Sequence, residues 1–198
     1  MTAIETGKAA LRNEMKKVLA GIAKDERKRQ STRIVEKLIS LPQYQQSRRI
    51  SLYLSTEDEP DTLPLLRKIF DAGKEAFVPR YRGKVMEMVK LHSMEDFESL
   101  PLTKWNIKQP HFRDDRENAL QGGGLDLIVL PGMAFTINGK RLGHGMGYYD
   151  KFLHECISSQ EKKPHLIALA FNEQVKEEIP TTEKDVDLDM VLTEKDVQ

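Results

Sequence analysis

Between residues 141 and 150 the chain reads RLGHGMGYYD, and no other stretch of its 198 residues restricts the backbone so tightly. Gly143, Gly145 and Gly147 alternate with larger residues, Arg141 precedes them, and Tyr148, Tyr149 and Asp150 follow. Glycine at every second position strips side chains from one face of the backbone. Consecutive N–H groups can then turn inward and line a concavity suited to an anion. Upstream, Leu125 to Leu130 is a nearly continuous apolar run closed by Pro131-Gly132, the pattern of a buried strand. Downstream, Tyr149, Phe152, Leu153 and Ile157 recur at helical spacing from Tyr148 onward, and Pro164 ends the segment. The predicted order is strand, glycine loop, helix. A helix N-terminus behind such a loop offers free N–H groups and a positive dipole end to phosphate. The spacing is not that of a Walker loop, and GHGMG matches a dinucleotide fingerprint only loosely. A glycine-rich surface turn is the plainer alternative.

Charge narrows the function classes. Lysine plus arginine number 31 and so do aspartate plus glutamate, which argues against broad binding to nucleic acid or a membrane surface. Small-molecule partners and a monomer are expected. The length suits one substantial core, so residues 1–198 are predicted to form a single domain. One cysteine, Cys156, excludes an internal disulfide and a thiolate zinc cluster, and its place on the helix after the loop makes packing the simpler role. No stretch resembles a signal peptide or reaches membrane-spanning length, so a cytoplasmic address is expected.

The first helix is predicted over Thr6–Ile22, with Leu11, Met15, Val18, Leu19 and Ile22 on one face and Lys8, Arg12 and Lys16 on another. A solvated face is the ordinary reading of such a row. Lys24–Ser40 is a second helix, with Ile34, Val35, Leu38 and Ile39 as its buried stripe. Arg49–Ser55 alternates as a strand does, and Glu75–Pro79 is another. Between them, Asp61 or Thr62 caps a helix from near Pro64 to Gly73, giving a β-α-β unit with parallel neighbours. That unit places Leu54 and Glu59 at the carboxyl edge of a parallel strand, where open α/β sheets bind ligands. Glu59 also fits a solvated acidic turn. Tyr81–Lys84 reads as a basic turn, Val85–Leu91 as a strand and Ser93–Leu100 as a short polar helix. Trp105, the sole tryptophan, lies in a proline-bounded loop, free to stack on a flat ring or to enter the core. Arg113–Glu117 reads as a solvated charge run, His165–Phe171 as a buried strand and Thr181–Val191 as an acidic tail.

PGMAF at Pro131–Phe135 and NGKRLGHGMGYYDKFL at Asn138–Leu153 together resemble the 5-formyltetrahydrofolate cyclo-ligase family, also called 5,10-methenyltetrahydrofolate synthetases. The similarity extends through RRISLYLS, FVPRYR, TKWNIKQP and ALAF. It implies a three-layer α/β/α fold with a largely parallel sheet, Rossmann-like and related in form to coenzyme A transferases. It also implies ATP as co-substrate, Mg2+, and closure of 5-formyltetrahydrofolate to the 5,10-methenyl product.

Carried over residue by residue, the resemblance puts Lys8, Arg12, Arg141, Leu142, Gly143, His144, Gly145, Met146, Gly147, Tyr148 and Tyr149 on ATP. Leu54, Glu59, Trp105, His144, Gly145, Met146, Gly147 and Tyr148 fall on the folate, with Glu59 accepting from the pterin's N–H groups. Asp150 and Asp185 fall on the metal, and Arg141 and Tyr149 on the reacting groups. The chain departs from many relatives at His144, where arginine is common, and at Met146, where glycine or lysine is frequent. Two alternatives stand beside this reading: an enzyme acting on a sugar phosphate or coenzyme A ester, and a regulator that binds nucleotide without consuming it.

Overall fold

The computed structural model describes residues 1–195, so the last three positions of the predicted 1–198 domain lie outside the described residues. The chain begins with α1 (Ala3–Ala20), three residues earlier than the apolar spacing predicts. The reason is a capping box: the Thr2 hydroxyl accepts from the Glu5 N–H at 3.2 Å, and Glu5 accepts from the Thr2 N–H at 2.7 Å. Next come α2 (Lys24–Ser40), with the predicted bounds, and a single turn α3 (Pro42–Gln45).

β1 (Arg49–Leu52) stops short of the predicted Ser55. Beyond it the chain folds back, because the Tyr53 hydroxyl donates to the Pro60 carbonyl at 2.9 Å and the Thr62 hydroxyl to the Tyr53 carbonyl at 2.6 Å. With its hydroxyl so used, Thr62 is the N-cap of α4 (Leu63–Asp71) by position only, and the Asp61 carboxylate just before it accepts from the Leu63 N–H at 3.0 Å. β2 (Glu75–Arg82) is longer than predicted because it continues into an antiparallel pairing with β3 (Val85–Leu91), so Tyr81 is a strand residue and the turn itself is Gly83-Lys84. After α5 (Met94–Ser99) and a long loop come β4 (Leu127–Leu130), a two-stranded ribbon of β5 (Ala134–Phe135) and β6 (Arg141–Leu142), α6 (Tyr148–Ser159), β7 (His165–Leu169) and β8 (Met190–Leu192).

The six-strand sheet runs β3-β2-β1-β4-β7-β8, parallel at every pairing except β2 with β3. Its central strands are apolar on both faces, as a doubly covered parallel sheet requires. On one face Ile50, Leu52, Val129 and Ile167 pack with Ile34 and Leu38 of α2 and Leu65, Leu66 and Ile69 of α4. On the other, Phe77, Ile128, Leu130 and Ala168 meet Tyr149, Phe152, Leu153 and Cys156 of α6. The result is the expected three layers. Each fully buried side chain of this size contributes about 1.5–3 kcal/mol of transfer free energy, so Phe152 and Leu153 anchor the N-terminal half of α6 to the sheet.

Two sequence expectations change here. The ribbon of β5 and β6 is inserted between the central strand and the glycine loop, so the order is strand, ribbon, loop, helix. The ribbon packs Met133, Ala134 and Leu142 on Met15 of α1, which brings that helix to the site. The Arg113–Glu117 run is not simply solvated. Arg116 makes a two-pronged ion pair with Asp96 at 2.7 Å and Glu117 pairs with Arg49 at 2.8 Å. The Arg116 and Asp96 side chains, mostly enclosed by protein, retain their charge because each replaces water for the other.

Candidate active site

β1 connects outward to β2 on one side, and the chain later returns to place β4 on the other, so the strand order reverses between β1 and β4. Loops leaving the carboxyl ends of two such strands diverge and leave a crevice. Here those loops are residues 53–62 after β1 and residues 131–147 after β4. They enclose a cleft of about 790 Å³, whose walls include Tyr53, Leu54 and Glu59 on one side and Pro131, Arg141 and the glycine loop on the other. That volume falls in the range of pockets that hold drug-sized ligands.

Glycine is required in the loop at two places. Gly145 has φ +110°, and a Cβ there would lie 3.6 Å from the Arg12 guanidinium carbon. Gly147, with φ +69°, is the N-cap of α6 and turns the chain into the helix. Arg12 also fixes the loop directly, its Nε donating to the Gly143 carbonyl at 2.9 Å. One turn earlier on α1, Lys8 reaches Asp185 at 2.6 Å, with both side chains largely buried. The cationic row of α1 therefore divides: Lys8 and Arg12 enter the cleft, while Lys16 is exposed to solvent. Burial opposes the charge on Asp185, but the Lys8 and Thr182 hydrogen bonds outweigh it and lower its pKa. The anchor is thus present above the ordinary carboxylate range and is lost as pH falls through the lowered value.

Arg141 is the most enclosed cation of the cleft, its side chain 4% exposed. Its Nη1 donates to the Pro131 carbonyl at 3.2 Å and its Nη2 to Asp150 at 3.3 Å, while the guanidinium stands 5.5 Å from the centre of the Tyr149 ring. Arg141 Nε is buried at this floor and has no partner among the described residues, while the buried Tyr149 hydroxyl makes no well-formed hydrogen bond and has the Tyr81 phenol beside it. Leaving buried donors unmatched is costly, and a site that does so is prepared for an acceptor from outside. Burial raises the Tyr149 pKa well above its usual value, so the phenol remains a neutral donor. Asp150 accepts from the Val186 N–H at 3.1 Å, which sets Asp150 beside the backbone that carries Asp185.

Across the cleft, Glu59 is held in place. Its Oε2 accepts from the Thr56 N–H at 2.9 Å, its Oε1 lies 3.4 Å from His144 Nε2, and its side chain is 9% exposed. Trp105 is not a core residue: it is 71% exposed and stands in the cleft wall with Met146, also exposed. Among the predicted contacts only Leu142 turns away, its side chain buried against Met15 and Met133.

Residues that sequence patterning did not single out complete the wall, notably Tyr53, Pro79, Tyr81, Ile107 and Gln109. Tyr81 packs edge-on against Tyr148 with centroids 4.9 Å apart, and the Tyr148 hydroxyl donates to the Gly83 carbonyl at 2.7 Å. The β2–β3 hairpin is thereby tied to the glycine loop. Read as part of a basic turn, Tyr81 carried no signal of this, since its place depends on a strand running past its predicted end. Cys156 lies behind the site, fully buried, and burial pushes its thiol up to about 12, which suits packing rather than nucleophilic attack.

A glycine loop, a buried arginine and a helix N-terminus at the switch point of a doubly covered parallel sheet define an α/β protein built to hold a phosphorylated ligand. Residues 4–194 match the model of the 5-formyltetrahydrofolate cyclo-ligase family, and the chain belongs to that family. It is 47% identical to mouse 5-formyltetrahydrofolate cyclo-ligase over 96% of this chain and 95% of that one. A Caenorhabditis elegans protein named as a probable 5-formyltetrahydrofolate cyclo-ligase is 40% identical over 98% of this chain and 96% of its own. The solution structure of Aquifex aeolicus 5,10-methenyltetrahydrofolate synthetase superposes with a TM-score of 0.78 at 29% identity, covering 96% of this chain and 91% of that one. Family membership sets aside the sugar-phosphate and regulator alternatives. No helix among the described residues is long and apolar enough to cross a membrane.

Proposed function

We infer that the chain is an ATP-dependent cyclo-ligase that converts 5-formyltetrahydrofolate to 5,10-methenyltetrahydrofolate. The observation that supports the residue assignments is a cleft lined on one side by Arg141, whose buried Nε has no partner among the described residues, with Tyr149 beside it, and on the far side by Glu59.

An N-formyl oxygen is a poor leaving group and phosphate a good one. The formyl oxygen attacks the γ-phosphorus and ADP departs. N10 then adds to the activated carbon and loses its proton, and phosphate leaves with the former formyl oxygen. The protein's part is positioning and neutralisation of charge. Lys8, Arg12 and Arg141 clamp the phosphates, and the N–H groups of the glycine loop and of the first turn of α6 receive the negative charge. Tyr149 donates to the oxygen being transferred. Glu59 accepts from the pterin's N–H donors and so aims the formyl group at the nucleotide, with Leu54 and Trp105 flanking the ring.

No group of three His, Cys, Asp or Glu among the described residues forms a metal cage. Asp150 and Asp185 supply hard oxygen donors of the kind magnesium takes together with phosphates and water, and to do so each would give up the cation it now holds, Arg141 and Lys8. They would hold it when it arrives with ATP, and it would supply neutralisation of the phosphate charge.

The test is to mix the protein with 5-formyltetrahydrofolate and Mg-ATP and follow the near-ultraviolet absorbance of the methenyl product. The rise should require ATP and release one ADP per product; its absence under every nucleotide would overturn the reading. We also propose that the chain acts as a cytoplasmic monomer, which predicts sedimentation at its 22.7 kDa mass.

A further inference from the structure

Glu59 has one oxygen to offer a ligand, and His144 stands on it. Oε2 is committed to the Thr56 N–H at 2.9 Å, while Oε1 lies 3.4 Å from His144 Nε2. The two side chains differ in freedom. Glu59 is 9% exposed and held from its own loop, whereas His144 is 58% exposed and sits between two glycines. A donor arriving at Oε1 therefore shares that oxygen with the imidazole and competes with it for position.

We propose that His144 and Glu59 form a protonation-controlled bridge across the cleft mouth that makes folate capture weaker in acid. This rests on the reading of Glu59 as the pterin's acceptor. When the imidazole is charged, the bridge is an ion pair and the incoming pterin competes with a cation for Oε1. When it is neutral, the 3.4 Å approach carries no ionic attraction, and the exposed imidazole yields to the incoming donor by rotating its own side chain while the loop backbone stays held by Arg12.

The other groups around the cleft leave this switch to His144. Lys8, Arg12 and Lys108 are cations, and Arg141 is one permanently. Asp185 is already paired with Lys8 and Asp150 with Arg141 and the Val186 N–H. Burial moves the Tyr53 phenol upward and pushes that of Tyr81 up to about 12. An imidazole is the side chain whose charge changes between pH 5 and 8.

The experiment is calorimetric titration of the intact protein with 5-formyltetrahydrofolate, without nucleotide, at pH 8.0 and pH 6.0. The native protein should bind about three- to fivefold more weakly at pH 6.0, because affinity scales with the fraction of molecules whose bridge is open. His144→Gln should bind equally at both values, and Glu59→Gln should bind weakly at both. Equal native affinity at the two pH values, tighter binding at pH 6.0, or the native pH dependence persisting in His144→Gln would each overturn the bridge while leaving the folate reading intact. A parallel titration with ATP should show no matching pH change that depends on His144; if it does, the imidazole serves the phosphates and the bridge is overturned. Absence of folate binding at both pH values would overturn the bridge together with the reading of Glu59.

Discussion

Arg141→Ala lowers kcat/KM for ATP by about 10³, some 4 kcal/mol of transition-state stabilisation, in keeping with the lower range for an arginine that neutralises a phosphoryl group in flight. The lower end applies because Lys8 and Arg12 remain in the cleft. The side chain is 4% exposed and already oriented by the Pro131 carbonyl and Asp150, so its charge meets the phosphate without further ordering. Arg141→Lys should restore only part of the loss. An ammonium cannot bond Pro131, Asp150 and a phosphate in the same planar fork. Steady-state kinetics on folded protein, verified by thermal melting, provides the check. Turnover within threefold of native for Arg141→Ala would remove the residue from the reaction.

Glu59→Ala is expected to act on the other substrate. Loss of a charge-assisted pair inside a cleft costs several kcal/mol, so KM for 5-formyltetrahydrofolate should rise by on the order of 10² while KM for ATP stays within about twofold. The loop keeps its shape in this variant because Tyr53, Pro60, Asp61 and Thr62 hold it independently of Glu59. A rise in KM for ATP of equal size would move Glu59 to the nucleotide.

These two outcomes together would divide the cleft along the switch point, the side after β4 for phosphate and the side after β1 for the pterin. The two sides touch. Tyr81 and Tyr148 meet at 4.9 Å across the division, and His144 reaches Glu59 across it at 3.4 Å.

Much of this was legible in local pattern. The bounds of α2 and β3 follow from their apolar spacing, and the parallel β1–α4–β2 unit follows from two apolar runs around a capped helix. Where boundaries moved, a specific bond moved them. The Thr2–Glu5 box lengthened α1, and the Tyr53–Pro60 and Thr62–Tyr53 bonds ended β1 early. Trp105, left open between a stacking and a core position, was settled by the fold, and the Arg113–Glu117 run was misjudged. The tryptophan proved exposed, while Arg116 and Glu117 found partners distant in sequence, in Asp96 and Arg49.

By itself the sequence determined which backbone could exist around residues 141–150, because only glycine adopts φ +110° and +69° at Gly145 and Gly147 without strain. It also determined that a short apolar strand would precede that loop and an amphipathic helix would follow it. Only the tertiary structure decided what the loop faces. Arg12 and Lys8 come from a helix more than a hundred residues away in sequence, Glu59 from the loop after the neighbouring parallel strand, and Tyr81 from an antiparallel extension. Periodicity reports which face of an element is apolar. Which elements meet is set by strand order and by the packing of Met15 and Leu142 that docks α1, and those long-range contacts leave no local mark in the chain.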